Sequence, residues 1–348
     1  ALAGAGYATV MAGKWHLGED GPDQHGFERS WALLDGASGH FDDVGYSPQR
    51  PRARYLQDGR PVTPPAGFYS SDFYTDRVIE AFDAAPGGRP VFAYLAFTAP
   101  HWPLHAPDDL IAKYEPRYRA GWDDVRARRT AAAERLGLVG EGTTRAERPA
   151  SVPAWTTLTR AEQAREARLM AVYAAMVERL DWNVGRLLAA LERSGRLQNT
   201  LIVVASDNGP EALDLARTGP PAVTGWLRQF DNSTGNIGRP GSYAFYGPGW
   251  AHVGAAPHRG WKTLVTEGGL HAPLIVAGPG VRRRGVRTGA FVTALDVAPT
   301  LLEFAGARSR GDPAIAGVSF RPVLEGAPTR PRPGTGFELF GNEAWTDG

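Results

Sequence analysis

The stretch from Asn199 to Pro210, NTLIVVASDNGP, constrains this chain more than any other, because an apolar run stops abruptly at two oxygen-bearing side chains. Leu201 to Ala205 carry no polar side chain, and turn formers bound the run on its far side. A segment that short and β-branched predicts a strand buried on both faces, of the kind found inside a largely parallel sheet. Asp207 and Asn208 then fall just past its C-terminal end, the edge at which open α/β sheets bind ligands. Two readings stand for Asp-Asn-Gly-Pro at that point. It is a turn, which these residue types dominate, or it delivers metal-binding oxygens to a site.

The surrounding pattern alternates helices and strands. Thr159-Arg-Ala-Glu162 predicts a capping box opening a long helix, whose apolar positions Leu169, Val172, Met176, Leu180, Val184, Leu187 and Leu191 step by three and four until Gly195 closes it. That helix feeds the Asn199 to Pro210 strand, giving one helix-to-strand unit of an α/β sheet. Tyr74 to Ala84 has helical spacing and ends before Pro86-Gly87-Gly88. Val91 to Phe97 predicts a second buried strand, which empties into a loop carrying His101 and His105. Further strands are expected at Pro273 to Ala277 and Ala290 to Thr293, and a helix with an Asp296 cap and a Gly306 stop. Residues 21–67 predict irregular loops with short edge strands, and Ala212 to Pro257 is loop-rich but too aromatic for disorder. Asp123 to Leu136 predicts an amphipathic helix within an arginine-rich segment of about residues 113–158, taken as a solvated, insertion-like surface. After Gly311 the chain is rich in Pro and Gly.

Bulk properties exclude several classes. At 348 residues one large core, or one large and one small, is within reach. A net charge of +1 leaves no nucleic-acid footprint, and no run approaches the roughly 18 apolar residues of a membrane span. Cysteine is absent, which removes disulfides and thiolate metal sites without identifying a compartment, so cytoplasm and periplasm both stay open. Of 38 basic residues only three are lysine, yet lysine stands at Gly13-Lys14-Trp15-His16 and at Gly260-Trp261-Lys262. A compact ammonium in place of a planar guanidinium suits an anion-binding position. The glycines around Lys14 and His16 predict an extended segment with both side chains on one face.

Collected by type, the loop residues are two lysines, several histidines, an Asp and an Asn, an inventory suited to an oxyanion. Lys14 and Lys262 would neutralise a sulfate or phosphate, a histidine would serve as general acid to an alkoxide, and Asp207 with Asn208 would supply hard ligands for Ca²⁺ or Mg²⁺. Each alone has a plain alternative: a hydrogen-bonded loop histidine, or a lysine packing its stem beside a tryptophan.

Taken in order, the segments resemble one family. Gly6-Tyr-Ala-Thr-Val-Met-Ala-Gly-Lys14-Trp-His16-Leu-Gly18 resembles the second signature of the type I, formylglycine-dependent sulfatases. Ala99-Pro-His101-Trp-Pro, Ser206-Asp207-Asn208-Gly209, Trp261-Lys262 with Glu267-Gly-Gly269, and Asp296-Val-Ala-Pro-Thr300 agree, and the connecting text is similar to bacterial arylsulfatases. The resemblance implies an alkaline-phosphatase-like α/β fold, with a large, mostly parallel sheet sandwiched by helices. It implies a catalytic domain over residues 1–335 and the start of a small C-terminal subdomain over 336–348. The reaction implied is hydrolysis of a small-molecule sulfate monoester. By the same resemblance Asp207 and Asn208 bind a divalent ion, normally calcium, with magnesium the alternative. Lys14 and His16 contact the formylglycine and sulfate, His16 takes a proton as the intermediate collapses, and His101 and Lys262 hold the sulfate from the opposite side, with His101 protonating the leaving group. A formylglycine-generating enzyme is the implied maturation partner.

Two family elements have no match. No Cys/Ser-x-Pro-x-Arg motif occurs: Ser47-Pro48-Gln49-Arg50 has the wrong spacing, and Ser151-Val-Pro153-Ala-Trp155 ends in Trp where Arg belongs. None of the pairs Asp42-Asp43, Asp108-Asp109 and Asp123-Asp124 follows an apolar strand, and all three are taken as surface acids. The expectation is therefore a fragment truncated at both ends, inactive alone, with nucleophile and remaining metal ligands upstream. His271 stands where similar sequences carry Arg. The rival readings are a phosphonate monoester or phosphodiester hydrolase on the same scaffold, and a catalytically dead homologue that binds.

Overall fold

The computed structural model describes residues 1–85, 87–140, 143–282, 284–307, 315–328 and 334–346. Pro86, Gly311 and the terminal residues 347–348 of the expected C-terminal subdomain lie outside the described residues. The strands are β1 (Ala8–Lys14), β2 (Arg29–Leu33), β3 (Val44–Ser47), β4 (Arg50–Arg52), β5 (Tyr55–Gln57), β6 (Arg60–Val62), β7 (Val91–Ala96), β8 (Ile202–Ala205), β9 (Leu274–Ala277), β10 (Thr335–Leu339) and β11 (Asn342–Thr346). The helices are α1 (Ser70–Ala84), α2 (Asp108–Tyr118), α3 (Gly121–Arg135), α4 (Arg160–Arg193), α5 (Leu215–Thr218), α6 (Pro221–Leu227), α7 (Gly247–Gly254), α8 (Glu267–Leu270), α9 (Val297–Phe304) and α10 (Arg321–Leu324).

The fold is α/β around a five-stranded mixed sheet in the order β6-β5-β2-β1-β7. Its centre is parallel, with β1 flanked by β2 and β7, and its far edge is antiparallel. β1 is buried on both faces because its pleat sends Ala12 toward Trp31, Tyr74 and Val78 on the helical side and Met11 toward Trp15, Ala32 and Leu34 on the other. At Gly13, φ is +121° and a Cβ would stand 1.9 Å from the Ala96 carbonyl oxygen, so only glycine lets β1 and β7 close up just before Lys14. Helices α1 and α4 cover the sheet. They are latched by Asp72, which accepts from Arg179 Nε at 2.8 Å and from the fully buried Asn183 Nδ2 at 2.7 Å.

Helix α4 starts as its sequence predicts: Thr159 Oγ1 accepts from Glu162 N–H, and the Glu162 carboxylate accepts from Thr159 N–H at 2.8 Å. A cap of this kind contributes about 1 kcal/mol. Gly195 takes a left-handed φ of +69° where the helix ends. A second core joins α2, α3, α4 and α7, centred on Trp122, Trp155 and Trp250, whose rings meet edge-on at 4.9–5.9 Å. The arginine-rich segment is thus no mere surface. Most of its charged side chains face solvent, but Arg126 is buried together with Trp122, Val125, Val152 and Trp155.

Four further expectations need correction. β8 is half exposed and pairs antiparallel with β9, with no ladder to the parallel centre among the described residues, so the strand is neither doubly buried nor in a parallel sheet. An apolar run alone does not distinguish these cases. Ala290 to Thr293 joins no ladder; Thr293 instead accepts its role as a cap, giving N–H to Asp296 Oδ2 at 2.7 Å. Asp296 is fully buried and does not cap α9, because its carboxylate is turned back to Thr293 and to Val318 N–H. Asp43 is buried and paired with Arg52 at 2.8 Å, so the Asp42-Asp43 pair is not a surface acid pair.

Candidate active site

Lys14 is the last residue of β1, and the chain turns at once into a loop. His16 has φ +50°, a left-handed conformation that ends the extended segment. Its orientation therefore comes from this turn and not from strand alternation. The ring rests on Gly36, where a Cβ would come within 2.9 Å of it. Burial and the positive charge of Lys262 push the Lys14 ammonium below its usual value, while Asp207 and Glu211 act the other way. His16 is likewise pushed down by burial, Lys14 and Lys262, against Asp35. Two lysines that repel one another across a shared, partly dry space form a site electrostatically ready for an anion.

His101 follows β7. Its Nδ1 lies 2.8 Å from its neighbour's carbonyl, Trp102 O. An acceptor there fixes Nδ1 as the protonated nitrogen and leaves Nε2 as the free atom. Burial first, then Lys14, lowers this histidine to about 3. Its backbone is held from behind by histidines that sequence spacing did not single out as site residues. His40 Nε2 donates to His101 O at 3.1 Å, and Ser70 Oγ lies 2.7 Å from His40 Nδ1. The His40 N–H donates to His105 Nδ1 at 3.2 Å, which leaves His105 Nε2 to donate to Ser242 O at 2.9 Å. Both ring nitrogens of His40 and of His105 have partners, and burial holds His40 near 3 and His105 near 4, both neutral.

The opposite wall is made by backbone. After β8, Gly209 N–H donates to Gly269 O at 2.9 Å, and a Cβ on Gly209 would stand 1.9 Å from Gly268 O. Lys262 N–H donates to Pro210 O at 3.0 Å, so the loops carrying Asp207 and Lys262 are stitched together. Lys262 Nζ pairs with Glu211 Oε2 at 2.9 Å, a partner beyond the Asp-Asn-Gly that spacing alone did not indicate.

Asp207 is exposed, and its carboxylate accepts no hydrogen bond among the described residues. Asn208 gives Nδ2 to Gly209 O at 2.8 Å, which leaves Oδ1 as the amide atom able to accept or ligate. Two hard oxygens side by side fit part of a Ca²⁺ or Mg²⁺ shell, which needs six or more. The one group of three metal-capable His, Asp or Glu side chains among the described residues is elsewhere: His258, Glu267 and His271. The structure thus gathers Lys14, His16, His101, Lys262 and Asp207 around the C-terminal ends of β1, β7 and β8.

Lysines, histidines and an Asp-Asn pair at the C-terminal edge of strands in an α/β protein are an inventory suited to binding an oxyanion. The Sulfatase family model matches residues 1–307, and the chain belongs to the sulfatase family. It is 39% identical over 310 residues to an arylsulfatase of Klebsiella aerogenes, covering 87% of this chain and 66% of that protein. Among solved structures it is similar to Ps i-CgsB in complex with k-i-k-neocarrahexaose, with a TM-score of 0.59 at 22% identity over 93% of this chain and 56% of that one. It is also similar to the phosphonate monoester hydrolase SpPMH from Silicibacter pomeroyi, with a TM-score of 0.52 at 24% identity over 97% of this chain and 63% of that one. The chain therefore spans 56–66% of these relatives' length. Among the described residues no helix is long and apolar enough to cross a membrane.

Proposed function

We propose that the protein hydrolyses sulfate monoesters, and that Lys14, His16, His101, Lys262, Asp207 and Asn208 belong to its active site. The observation that carries this reading is the convergence of Lys14, Lys262 and the buried, neutral His101 on one partly buried space, where the two ammoniums repel one another and an anion relieves them. The two ammoniums bind sulfate oxygens. The free Nε2 of His101 faces the leaving oxygen. In the empty site it is unprotonated, held so first by burial and then by Lys14; the negative charge of a bound ester offsets the lysines and raises the proton affinity of Nε2. His16, on the Lys14 side, handles the second proton. Asp207 and Asn208 hold a divalent ion, calcium by family habit, which supplies charge stabilisation to the sulfate. The nucleophile in this family is a formylglycine, supplied through a maturation enzyme.

The test is hydrolysis of an aryl sulfate by the full-length protein, with and without chelator, beside a phenylphosphonate ester and an aryl phosphodiester. Lys14→Ala and His101→Ala are each expected to lower kcat by about 10²–10³. Faster turnover of the phosphonate or phosphodiester would replace the sulfatase reading with the rival that the SpPMH likeness keeps in view.

A further inference from the structure

The loop that carries Lys262 is closed at its neck by His258 on one side and by Glu267 and His271 on the other. Ligand atoms of the three side chains lie within 4.8 Å of one another. His271 Nδ1 is 3.0 Å from Glu267 Oε2, and the two imidazole rings are 5.4 Å apart. His258 is half-buried, while Glu267 and His271 are exposed.

The backbone beneath them is fixed independently of these side chains. Arg126 donates to the carbonyls of Pro257 at 2.8 Å and His258 at 3.0 Å, pinning the first ligand. Gly268 N–H donates to Arg259 O at 2.9 Å, and a Cβ on Gly268 would stand 2.4 Å from Gly260 O, so the two arms of the neck approach as closely as backbone allows. His271 N–H donates to Glu267 O at 2.9 Å, which sets those two side chains on one side of the α8 turn. A surface ion pair needs none of this second imidazole, yet His258 is brought to the same point from thirteen residues away.

We propose that His258, Glu267 and His271 form a binding site for a first-row divalent transition-metal ion of the zinc class, separate from Asp207 and Asn208. Two imidazoles and one carboxylate are the donor set that such ions prefer over Ca²⁺ or Mg²⁺, which take oxygen. Exposure of Glu267 and His271 leaves the fourth position to water. Bound there, the ion cross-links the two ends of residues 259–266 and restricts the loop that presents Lys262. The site stands whether or not the sulfatase reading does, because it uses none of that reading's residues.

The experiment is a Zn²⁺ titration of the full-length protein against a chromogenic chelator, in excess Ca²⁺ to keep oxygen-ligand sites filled, with tryptic cleavage after the exposed Arg259 as a second readout. Wild type is expected to hold one equivalent of Zn²⁺ and to be cut at least about tenfold more slowly with Zn²⁺ present. His258→Gln and His271→Gln are each expected to weaken binding by about tenfold or more and to abolish the protection, whereas His271→Cys retains both. Zn²⁺ binding of equal strength in both glutamine variants, no bound equivalent in wild type, or protection that survives His271→Gln would overturn the proposal. His271 is exposed, so its variants test the site without disturbing the core.

Discussion

The two walls of the candidate site are built by opposite means. On the His101 side, position is set by buried side chains: Ser70, His40, His105 and the Ser242 carbonyl form one connected chain, each of its ring nitrogens partnered and each imidazole neutral. On the Asp207 and Lys262 side, position is set by main chain: Gly209 against Gly268 and Gly269, and Lys262 N–H on Pro210. The contrast teaches that the first wall is vulnerable to protons and to loss of hydrogen-bond partners, and the second to any added volume.

Acid separates the walls most. An imidazole that titrates near 6.5 unfolded but near 3 or 4 in the fold binds fewer protons folded than unfolded throughout that interval. The stability it contributes is full above about pH 6.5 and is lost as pH falls toward 4. Urea denaturation at pH 7 and 4.5 is expected to differ by a few kcal/mol on the order of the shifts, and His105→Gln is expected to flatten the difference. A midpoint indifferent to pH would mean the histidines are not held neutral. Gly209→Val comes next. Its side chain forces apart backbones that now nearly touch, and a displacement of Asp207 and Lys262 by about 1 Å lowers kcat by roughly 10², while the acid profile stays that of wild type. Ser70→Ala removes one partner of His40 and is expected to cost about 1–2 kcal/mol in urea, with a smaller kcat loss than Gly209→Val. Lys113→Ala breaks an exposed pair with Glu178 that belongs to neither wall; a stability change below about 1 kcal/mol and unchanged kcat are the expected baseline for the other three.

The same contrast explains what was legible beforehand. Helix α4, from its cap to Gly195, was readable because its information is local: periodicity, a capping residue and a stop within one stretch. Strand β7 was readable as a strand but not in its burial: expected to be buried, it is the half-exposed edge of the sheet, with Tyr94 turned to solvent. Lys14, His101 and Asp207 were readable as candidates because each ends or follows a strand. Strand order was not: the apolar run of β8 is compatible with a buried parallel strand and with the half-exposed antiparallel partner of β9 that it is. The supports of the site were also hidden. His40 and His101 are 61 residues apart, His105 and Ser242 are 137 apart, and nothing near any of them marks the pairing. Glu211 lay within view of Asp207, yet a carboxylate after Asn-Gly-Pro has no pattern of its own until Lys262 is brought beside it. The left-handed turn at His16 defeats the alternation rule by one residue, since alternation holds only while the strand lasts.

Arg126 deserves a last consequence. Its guanidinium is buried and meets no carboxylate among the described residues; the carbonyls of Ala146, His252, Pro257 and His258 share its protons. Helix α3, drawn from the segment most easily mistaken for a detachable insertion, thereby grips the far end of the chain at the threshold of the Lys262 loop. Shortening that segment would not be a neutral trim. Losing Arg126 with it would release four carbonyls at once, and with them the anchorage of a loop more than a hundred residues downstream.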